Sequence, residues 1–238
     1  MIASIIRLTR KRVVVDVDTQ KDFFLADGSV CVRNHRRILA NIRRLMAWAR
    51  FYGIHVISTA QINRNGNGHP DKLRWCVEGT DGMRKIAYTL LNRRKSYNSD
   101  GSTDFSKDVL KENDQLILFK RCSDPFKEPR ADRVLTEFKA DEFIIIGAAV
   151  EDAVKATVLG LLQRGKKVSI VIDAVGSHDK NAAEIAIRQM QAKGARLIET
   201  RSLAGLSHLK RVGVCDCGRC KGLLERSPDE LSVKVKLS

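Results

Sequence analysis

Apolar residues form six short runs of strand length along the chain, separated by segments with apolar residues at helical spacing. The runs are continuous rather than alternating, which is typical of strands buried on both faces of a sheet. Gly53, Gly165 and Gly194 follow three of the helical segments, as C-terminal caps do. The pattern predicts strands at 13–17, 55–59, 116–119, 143–146, 168–172 and 196–200, and helices at about 35–51, 131–139, 151–164 and 180–193.

Strands that alternate with helices predict a parallel sheet covered by helices on both faces. We therefore expect an α/β fold, a Rossmann-like three-layer α/β/α sandwich with a six-stranded, mostly parallel sheet. Residues 61–114 are turn-rich and less regular, which favours an active-site loop or a subunit contact. Because the pattern stops near residue 204, we expect one domain at 1–204 and a cysteine-containing appendage at 205–238.

The chain has 238 residues, which is enough for one large α/β domain. Its apolar runs are shorter than the ~18 residues that a membrane-spanning helix needs. Its first residues do not have the pattern of a signal peptide. We therefore expect a soluble, cytoplasmic protein without a membrane partner.

The formal net charge of +15 is large, and such a charge steers anions or nucleic acid towards a surface. The basic residues are scattered, however, and aromatic residues, at 5% of the chain, form no platform for stacking bases. A solvated basic surface is therefore the favoured interpretation, and nucleic acid is a possible but less favoured partner. One predicted helix and its approach contain Arg33, Arg36, Arg37, Arg43, Arg44 and Arg50.

Polar or small residues stand at the ends of three predicted strands. Asp18 follows the first strand, Lys120 follows the strand at 116–119, and the strand at 143–146 turns into a helix near Ala153. Because the carboxyl ends of parallel strands meet at one edge of a sheet, we expect an acid, a base and a helix N-terminus to converge there. Alanine has no nucleophilic group, so Ala153 limits the chemistry of such a site.

These strand ends resemble the isochorismatase-like hydrolases, the superfamily of cysteine hydrolases that includes the nicotinamidases. Asp18-Thr19-Gln20-Lys21-Asp22-Phe23 matches a D-x-Q-x-D-F pattern, and Lys120 matches the lysine that ends another strand. Gly147-Ala148-Ala149-Val150-Glu151-Asp152-Ala153-Val154 resembles the G-x-x-T-[DE]-x-C-V turn. Further matches are the loop Cys76–Gly82, the STAQ segment at 58–61 and Asp173-Ala174, so that the resemblance covers roughly residues 11–200.

The resemblance implies a catalytic role for Asp18 and Lys120 and places the family's nucleophilic cysteine at Ala153. The thioester route of the family's amidases therefore cannot run. The resemblance also implies an oxyanion hole of backbone N–H groups and a cis peptide bond, which we expect between Ala149 and Val150. It implies substrate-binding roles for Phe23, Gln61, Ala149 and Val150, a small-molecule ligand, a homo-oligomer, and no cofactor required for catalysis.

Two comparisons within the family bear on the reaction. Nicotinamidases resemble one another in a metal cluster of aspartate and histidine, where this chain has Gln61, a lone His69 and Trp75, so we expect that site to be missing. True isochorismatases also lack the cysteine and use an acid to cleave a vinyl ether. The match at Gln61 favours this chemistry for Asp18, whereas Cys122 and Ser123 stand where the isochorismatase pattern has a substrate-facing arginine and tyrosine.

Three functions remain open at this stage. The first is hydrolysis of a small anionic substrate with Asp18 as the acid, aided by Lys120. The second is a catalytically silent relative that keeps the pocket for binding. The third is a regulatory or nucleic-acid-associated protein that acts through its basic surface and its tail. Asp22 is as well explained by a structural as by a catalytic role, and Cys122 is better explained as a packed cysteine than as a displaced nucleophile.

The tail contains the cluster Cys215, Cys217 and Cys220 in a C-x-C-x-x-C arrangement. Zinc prefers four ligands, so the cluster is one ligand short. His208, Asp216 or a partner chain could supply the fourth. A structural zinc site, a redox role and free thiols all remain open.

Overall fold

The computed structural model describes residues 11–64, 75–106 and 108–205. Within them, one parallel sheet of seven strands has the order β3-β4-β2-β1-β5-β6-β7. The strands are β1 (Arg12–Val17), β2 (Val56–Gln61), β3 (Arg94–Tyr97), β4 (Gln115–Lys120), β5 (Glu142–Gly147), β6 (Val168–Val175) and β7 (Arg196–Ile198). The helices are α1 (Lys21–Phe24), α2 (His35–Phe51), α3 (Val109–Glu112), α4 (Pro129–Glu137), α5 (Lys155–Gln163), α6 (Lys180–Ala192) and α7 (Thr200–Ala204).

The sheet divides the protein into three layers, which confirms the predicted α/β/α class. The apolar side chains on one face, such as Val15 and Ile145, pack with residues of α4, α5 and α6. Those on the other face, such as Val14 and Ile144, pack with residues of α2 and α7. Both faces are buried, which explains why the central strands have continuous apolar sequences. None of the helices in the described part of the chain is long and apolar enough to cross a membrane.

The predicted strand number of six was one too low. The missed strand, β3, has the sequence RKSY and pairs with β4 from Arg94↔Gln115 to Tyr97↔Leu118. Its first three residues are exposed, so no apolar run marks it in the sequence. A short, charged strand at a sheet edge also protects the protein against pairing with other chains.

The predicted helices lie where the periodicity placed them, and α2 has the predicted bounds. Gly53, Gly165 and Gly194 have φ values of 61°, 70° and 104°, as expected for caps in the left-handed region. The helix predicted at 151–164 begins instead with a π-helical turn, Val150–Val154, before α5. This turn follows β5 at the edge of the sheet where the strands β1, β2 and β4 also end.

Candidate active site at the carboxyl ends of the central strands

Asp18 lies directly after β1, and its backbone has a φ of +48°. Asp16, two residues earlier, accepts a hydrogen bond from Ser58 Oγ at 2.8 Å on one face of the sheet. Asp18 instead accepts one from Thr59 Oγ1 at 2.7 Å, and Ser58 and Thr59 point to opposite faces because they are neighbours in a strand. The left-handed backbone thus turns Asp18 to the face opposite Asp16.

Lys120 ends β4 and pairs with Asp18. Its Nζ lies 2.7 Å from Asp18 Oδ2 and donates to Gln61 Oε1 and the Cys122 carbonyl, each at 3.1 Å. The side chains of Lys120 and Asp18 are 0% and 2% exposed. A buried ammonium is tolerated only when its protons have partners, and here all three have one.

Gln61 is held by its neighbours on both its backbone and its side chain. Its N–H donates to Gln20 Oε1 at 2.7 Å, and its carbonyl accepts from Gln20 Nε2 at 2.7 Å. Its side-chain amide donates to Asn63 Oδ1 at 3.0 Å. The structure therefore brings Asp18, Lys120 and Gln61 together at this edge of the sheet.

The residues near Gln61 do not fit the metal of the nicotinamidases. The amide oxygen of Gln61 is occupied by Lys120, and Trp75 offers no metal-ligand atom in its side chain. Within the described residues no group of three His, Cys, Asp or Glu side chains is placed to hold a metal ion. His69, the lone histidine in the corresponding stretch of the sequence, lies outside the described residues.

The turn after β5 contains a cis peptide bond between Ala148 and Ala149. The predicted bond, between Ala149 and Val150, was wrong by one residue. The Ala148 N–H donates to the Val17 carbonyl at 3.0 Å, which holds the turn beside the end of β1. The Val150 N–H donates to the Gly176 carbonyl at 2.8 Å, so this donor is engaged within the protein.

Ala153 lies in the π-helical turn and is 3% exposed. Its methyl group belongs to the apolar cluster that also contains Val17, Val150 and Val175. Ala149, also predicted to bind substrate, is 3% exposed, and its carbonyl accepts from the N–H groups of Asp152 and Val154. The position that the family resemblance assigns to the nucleophile is therefore buried, beside the end of β1.

Two side-chain contacts connect this turn to loops on either side. Ser123 Oγ, in the loop after β4, donates to Asp152 Oδ2 at 2.6 Å. Glu151 Oε1 accepts from the backbone N–H of His178 at 2.7 Å and of Asp179 at 3.3 Å, in the loop after β6. The strands β4 and β5 are separated by β2 and β1, so the Ser123 contact crosses the end of the sheet.

His178 lies at the edge of the site, although none of the strand-end motifs includes it. Its ring lies 6.1 Å from the ring of Phe23, between centroids, and its backbone contacts Glu151. Phe23 is 8% exposed, whereas His178 is exposed. The sequence feature that marks it is a histidine shortly after the apolar strand β6. The strands β1 and β4 are likewise followed or ended by polar residues at this edge of the sheet.

Asp22 has a structural environment. Its Oδ2 accepts from the Cys76 N–H at 2.6 Å and its Oδ1 from the Ser29 N–H at 3.1 Å. Gly82 lies against this carboxylate, in a space that a Cβ would occupy. The two carboxylate oxygens therefore hold two separate segments, the one that follows α1 and the loop at Cys76.

The cysteines near the site have the character of thiols rather than thiolates. Burial raises the pKa of Cys122, although the Lys120 ammonium lowers it in part. Burial, followed by the Asp18 and Asp22 carboxylates, raises the pKa of Cys76 well above its ordinary value. Since the thiolate is the nucleophile, neither residue has the reactivity expected of a nucleophilic cysteine. The predicted zinc ligands Cys215, Cys217, Cys220 and His208 lie outside the described residues, and that prediction stays open.

A second buried ion pair lies on the other face of the sheet. Lys85 Nζ is 2.9 Å from Asp16 Oδ2, with side-chain exposures of 4% and 0%. Lys85 Nζ also donates to the Thr59 carbonyl at 3.2 Å, the group that accepts from the Asp18 N–H at 3.2 Å. Lys85 therefore touches the same residue that positions Asp18.

The family model of the isochorismatase domain matches residues 12–202. The chain belongs to the isochorismatase family. This confirms the family proposed from the strand-end motifs, and Asp18, Lys120 and the turn containing Ala153 all lie within the match.

Solved structures similar to this member of the isochorismatase family include two amidases. The pyrazinamidase of Pyrococcus horikoshii in complex with zinc has 20% sequence identity and a TM-score of 0.63, covering 79% of this chain and 99% of that one. The nicotinamidase/pyrazinamidase of Bacillus subtilis has 19% identity and a TM-score of 0.64, covering 79% and 100%.

The MAR1 ribonuclease from Caenorhabditis elegans is a third similar structure. It has 21% identity and a TM-score of 0.56, and the match covers 96% of both chains. At these identities the likeness establishes the fold. The comparison with curated proteins found no match.

Proposed function

We propose that this protein is a hydrolase in which Asp18 exchanges protons with the substrate directly and no covalent enzyme intermediate forms. The observation that carries the proposal is the Asp18–Lys120 pair at 2.7 Å, which is kept although Ala153 occupies the place of the nucleophile. A thiol-dependent amidase would need a reactive cysteine there. An acid–base reaction needs only a carboxyl group within reach of the reacting atom.

The reaction class that fits is cleavage of a vinyl ether in a small anionic molecule. Asp18, in its acid form, delivers a proton to the vinyl carbon, and the resulting oxocarbenium carbon adds a water molecule. Asp18 takes up the proton that this water releases, and the hemiketal collapses to a ketone and an alcohol. Lys120 stabilises the carboxylate of Asp18 between these steps, and the net charge of +15 favours the approach of an anionic substrate.

A screen of small carboxylate-bearing vinyl ethers, amides and esters tests this proposal. The parent protein is expected to hydrolyse a vinyl ether, and Asp18→Asn is expected to lose at least the ~10²-fold that general acid–base catalysis contributes. Asp81→Asn is the matched control, because it removes an exposed carboxylate in a surface loop. If Asp18→Asn equals the parent on every substrate that is turned over, Asp18 does not carry the reaction.

Ribonuclease activity is a second candidate function. RNA carries its own nucleophile, the 2′-hydroxyl, so the absence of a thiol at Ala153 is no obstacle to its cleavage. The observation that favours this candidate is the similarity to a ribonuclease over 96% of both chains, against 79% of this chain for the two amidases. Asp18 would accept the proton of the 2′-hydroxyl as this oxygen attacks phosphorus. The bond from phosphorus to the 5′-oxygen would break, the 5′-oxygen would take a proton from water, and a 2′,3′-cyclic phosphate would form.

A pair of fluorescent oligonucleotides distinguishes the two candidates. The ribonuclease candidate predicts cleavage of single-stranded RNA and none of DNA of the same sequence, because DNA lacks the 2′-hydroxyl. Asp18→Asn should abolish the RNA cleavage. Equal cleavage of RNA and DNA contradicts a 2′-hydroxyl mechanism. If the parent cleaves neither RNA nor a vinyl ether, the result supports instead a catalytically silent relative that only binds a ligand.

A further inference from the structure

The second helix and the residues before it hold an unusual concentration of arginine. Between Arg33 and Phe51 the chain has six arginines and no lysine, aspartate or glutamate. Arg33, Arg36, Arg37, Arg43 and Arg50 are exposed, and we call these five residues the arginine face. The opposite side of α2 is buried, with Ile42, Leu45 and Ala49 in the core.

The arginine face has no acidic partners among the described residues. Other arginines of the protein do pair with carboxylates: Arg93 pairs with Asp114, and Arg133 pairs with Glu137. Arg43 instead lies over the ring of Tyr88, 5.9 Å from its centroid. Five exposed guanidinium groups without carboxylates on the same helix leave a concentrated positive potential on this surface.

Three of these arginines lie along one line. Arg36, Arg43 and Arg50 are seven residues apart, so they project from nearly the same side of the helix, about 10 Å from one to the next. The helix is packed on the sheet along its other side, which keeps this spacing fixed. A straight row of fixed cations matches a polymer with regularly repeated negative charges better than it matches a single small anion.

The arrangement does not serve the stability of α2. Cations stabilise a helix at its C-terminus and destabilise it at its N-terminus, because of the helix dipole. Here Arg36 and Arg37 occupy the first turn, which contains no acidic residue. Asn34, before the helix, makes no capping hydrogen bond through its side chain.

The arginine face begins beside the candidate active site. The Arg33 N–H donates to the Ser177 carbonyl at 2.9 Å. The next residue, His178, contacts Phe23 and Glu151 at the site edge. From there α2 runs antiparallel to the strands, so that Arg50 lies at the far end of the surface.

We propose that the arginine face binds single-stranded nucleic acid through its phosphates and that this track leads to the edge of the active site. Guanidinium groups bind phosphate oxygens in a bidentate manner, independently of base sequence. An anionic membrane is a poorer partner, because interfacial helices insert apolar side chains beside their basic ones. The one large apolar side chain exposed near this helix in the described part of the chain is Tyr52, at its C-terminal end.

The proposal goes beyond the proposed reaction and is tested by binding, without turnover. The probe is a fluorescent single-stranded RNA of about 16 nucleotides, a site size within reach of one small domain. The full chain is titrated by fluorescence anisotropy at salt concentrations from about 50 to 200 mM. The readout is binding alone, so a failure of the proposed chemistry leaves this measurement unaffected.

The test variant is Arg36→Gln/Arg43→Gln/Arg50→Gln. The matched control is Lys180→Gln/Arg188→Gln/Lys193→Gln, which removes the same charge from exposed positions on and just beyond α6, in the other helix layer. Three lost phosphate contacts should weaken binding at least tenfold and lower the slope of log affinity against log salt by about 2. The α6 variant should keep the parent's slope.

Three outcomes would overturn the proposal. One is an equal loss of affinity and slope in both variants, which would indicate a general effect of net charge. Another is no binding of RNA by the parent at the lowest salt. The third is parental binding to vesicles containing phosphatidylserine, or to polyglutamate, with no binding to RNA, which would assign the surface to a different partner. Circular dichroism of both variants checks that α2 is intact.

Discussion

The ammonium nitrogen of Lys120 lies 2.7 Å from a carboxylate oxygen of Asp18, and both side chains are buried. Lys120 is the last residue of β4 and stands opposite Gln61 in β2. Asp18 reaches the same face because its φ is +48°. The pair therefore forms only when the ends of β1, β2 and β4 lie in register. Because the pair is buried, a change in it should alter both the stability of the protein and the geometry of the candidate site.

Removing the ammonium alone should destabilise the protein strongly. Lys120→Met leaves the Asp18 carboxylate buried without its counter-charge, which costs on the order of 3–5 kcal/mol in comparable pairs. Urea denaturation at neutral pH measures the loss. The double variant Asp18→Asn/Lys120→Met should recover a large part of it, since no charge then remains unpaired. A double variant as unstable as Lys120→Met would contradict this account.

Lys85→Met should also destabilise the protein, because it leaves Asp16 buried and releases the Thr59 carbonyl that Asp18 also contacts. Lys21→Met is the matched control. Its pair with Asp81 is as close, at 2.7 Å against 2.9 Å for Lys85 and Asp16, but is open to solvent, and exposed pairs contribute little. Thermal denaturation of the two variants compares them directly, and equal losses would show that burial does not distinguish the pairs.

Ala153→Cys should create a reactive thiol in the turn after β5. The helical segment begins at Val150, so a cysteine at position 153 lies nearer the helix N-terminus, which favours thiolate, than one at position 156. After incubation with an activated acyl ester, peptide mass spectrometry should find the acyl group at position 153, whereas the parent forms no acyl-enzyme. Ala156→Cys, three residues further along the helix, should remain unmodified. Acylation of both variants to the same extent would mean that the turn gives no special activation.

Cys76 and Cys122 should react slowly at neutral pH. Burial raises the pKa of Cys122 and of Cys76, so their thiolate fractions stay below that of an ordinary cysteine, whose pKa is about 8.5. The rate of alkylation by iodoacetamide is measured by mass spectrometry from pH 7 upwards. In the folded protein this rate should begin to increase at a higher pH than in the unfolded chain. Rapid labelling of Cys122 at pH 7 would restore it as a candidate nucleophile.

The same shifts predict how stability depends on pH. A thiol whose pKa is raised by folding favours the folded state at pH values below the unfolded pKa. That contribution is lost as the pH rises through and above about 8.5. Cys76→Ala should flatten the loss of stability on the alkaline side. An unchanged alkaline profile in this variant would show that Cys76 does not contribute to it.

The sequence determined the sandwich, because continuous apolar runs such as 143–146 can be satisfied only by strands buried on both faces. It also placed Asp18 and Lys120 at the same edge of the sheet, because residues that follow parallel strands lie at the edge where the carboxyl ends of those strands meet. The family followed from the order of these motifs. The edge strand Arg94–Tyr97 escaped notice because its exposed, charged residues leave no apolar signal.

Other features depended on the tertiary structure. Strand alternation would put Asp16 and Asp18 on one face, and only the left-handed backbone at Asp18 separates them. The position of the cis bond at Ala148–Ala149 and the arrival of His178 beside Phe23 depend on how neighbouring loops pack. So does the pairing of Lys85 with Asp16. Periodicity reports which residues are buried, whereas contacts between residues distant in the chain are decided by where the folded backbone brings them.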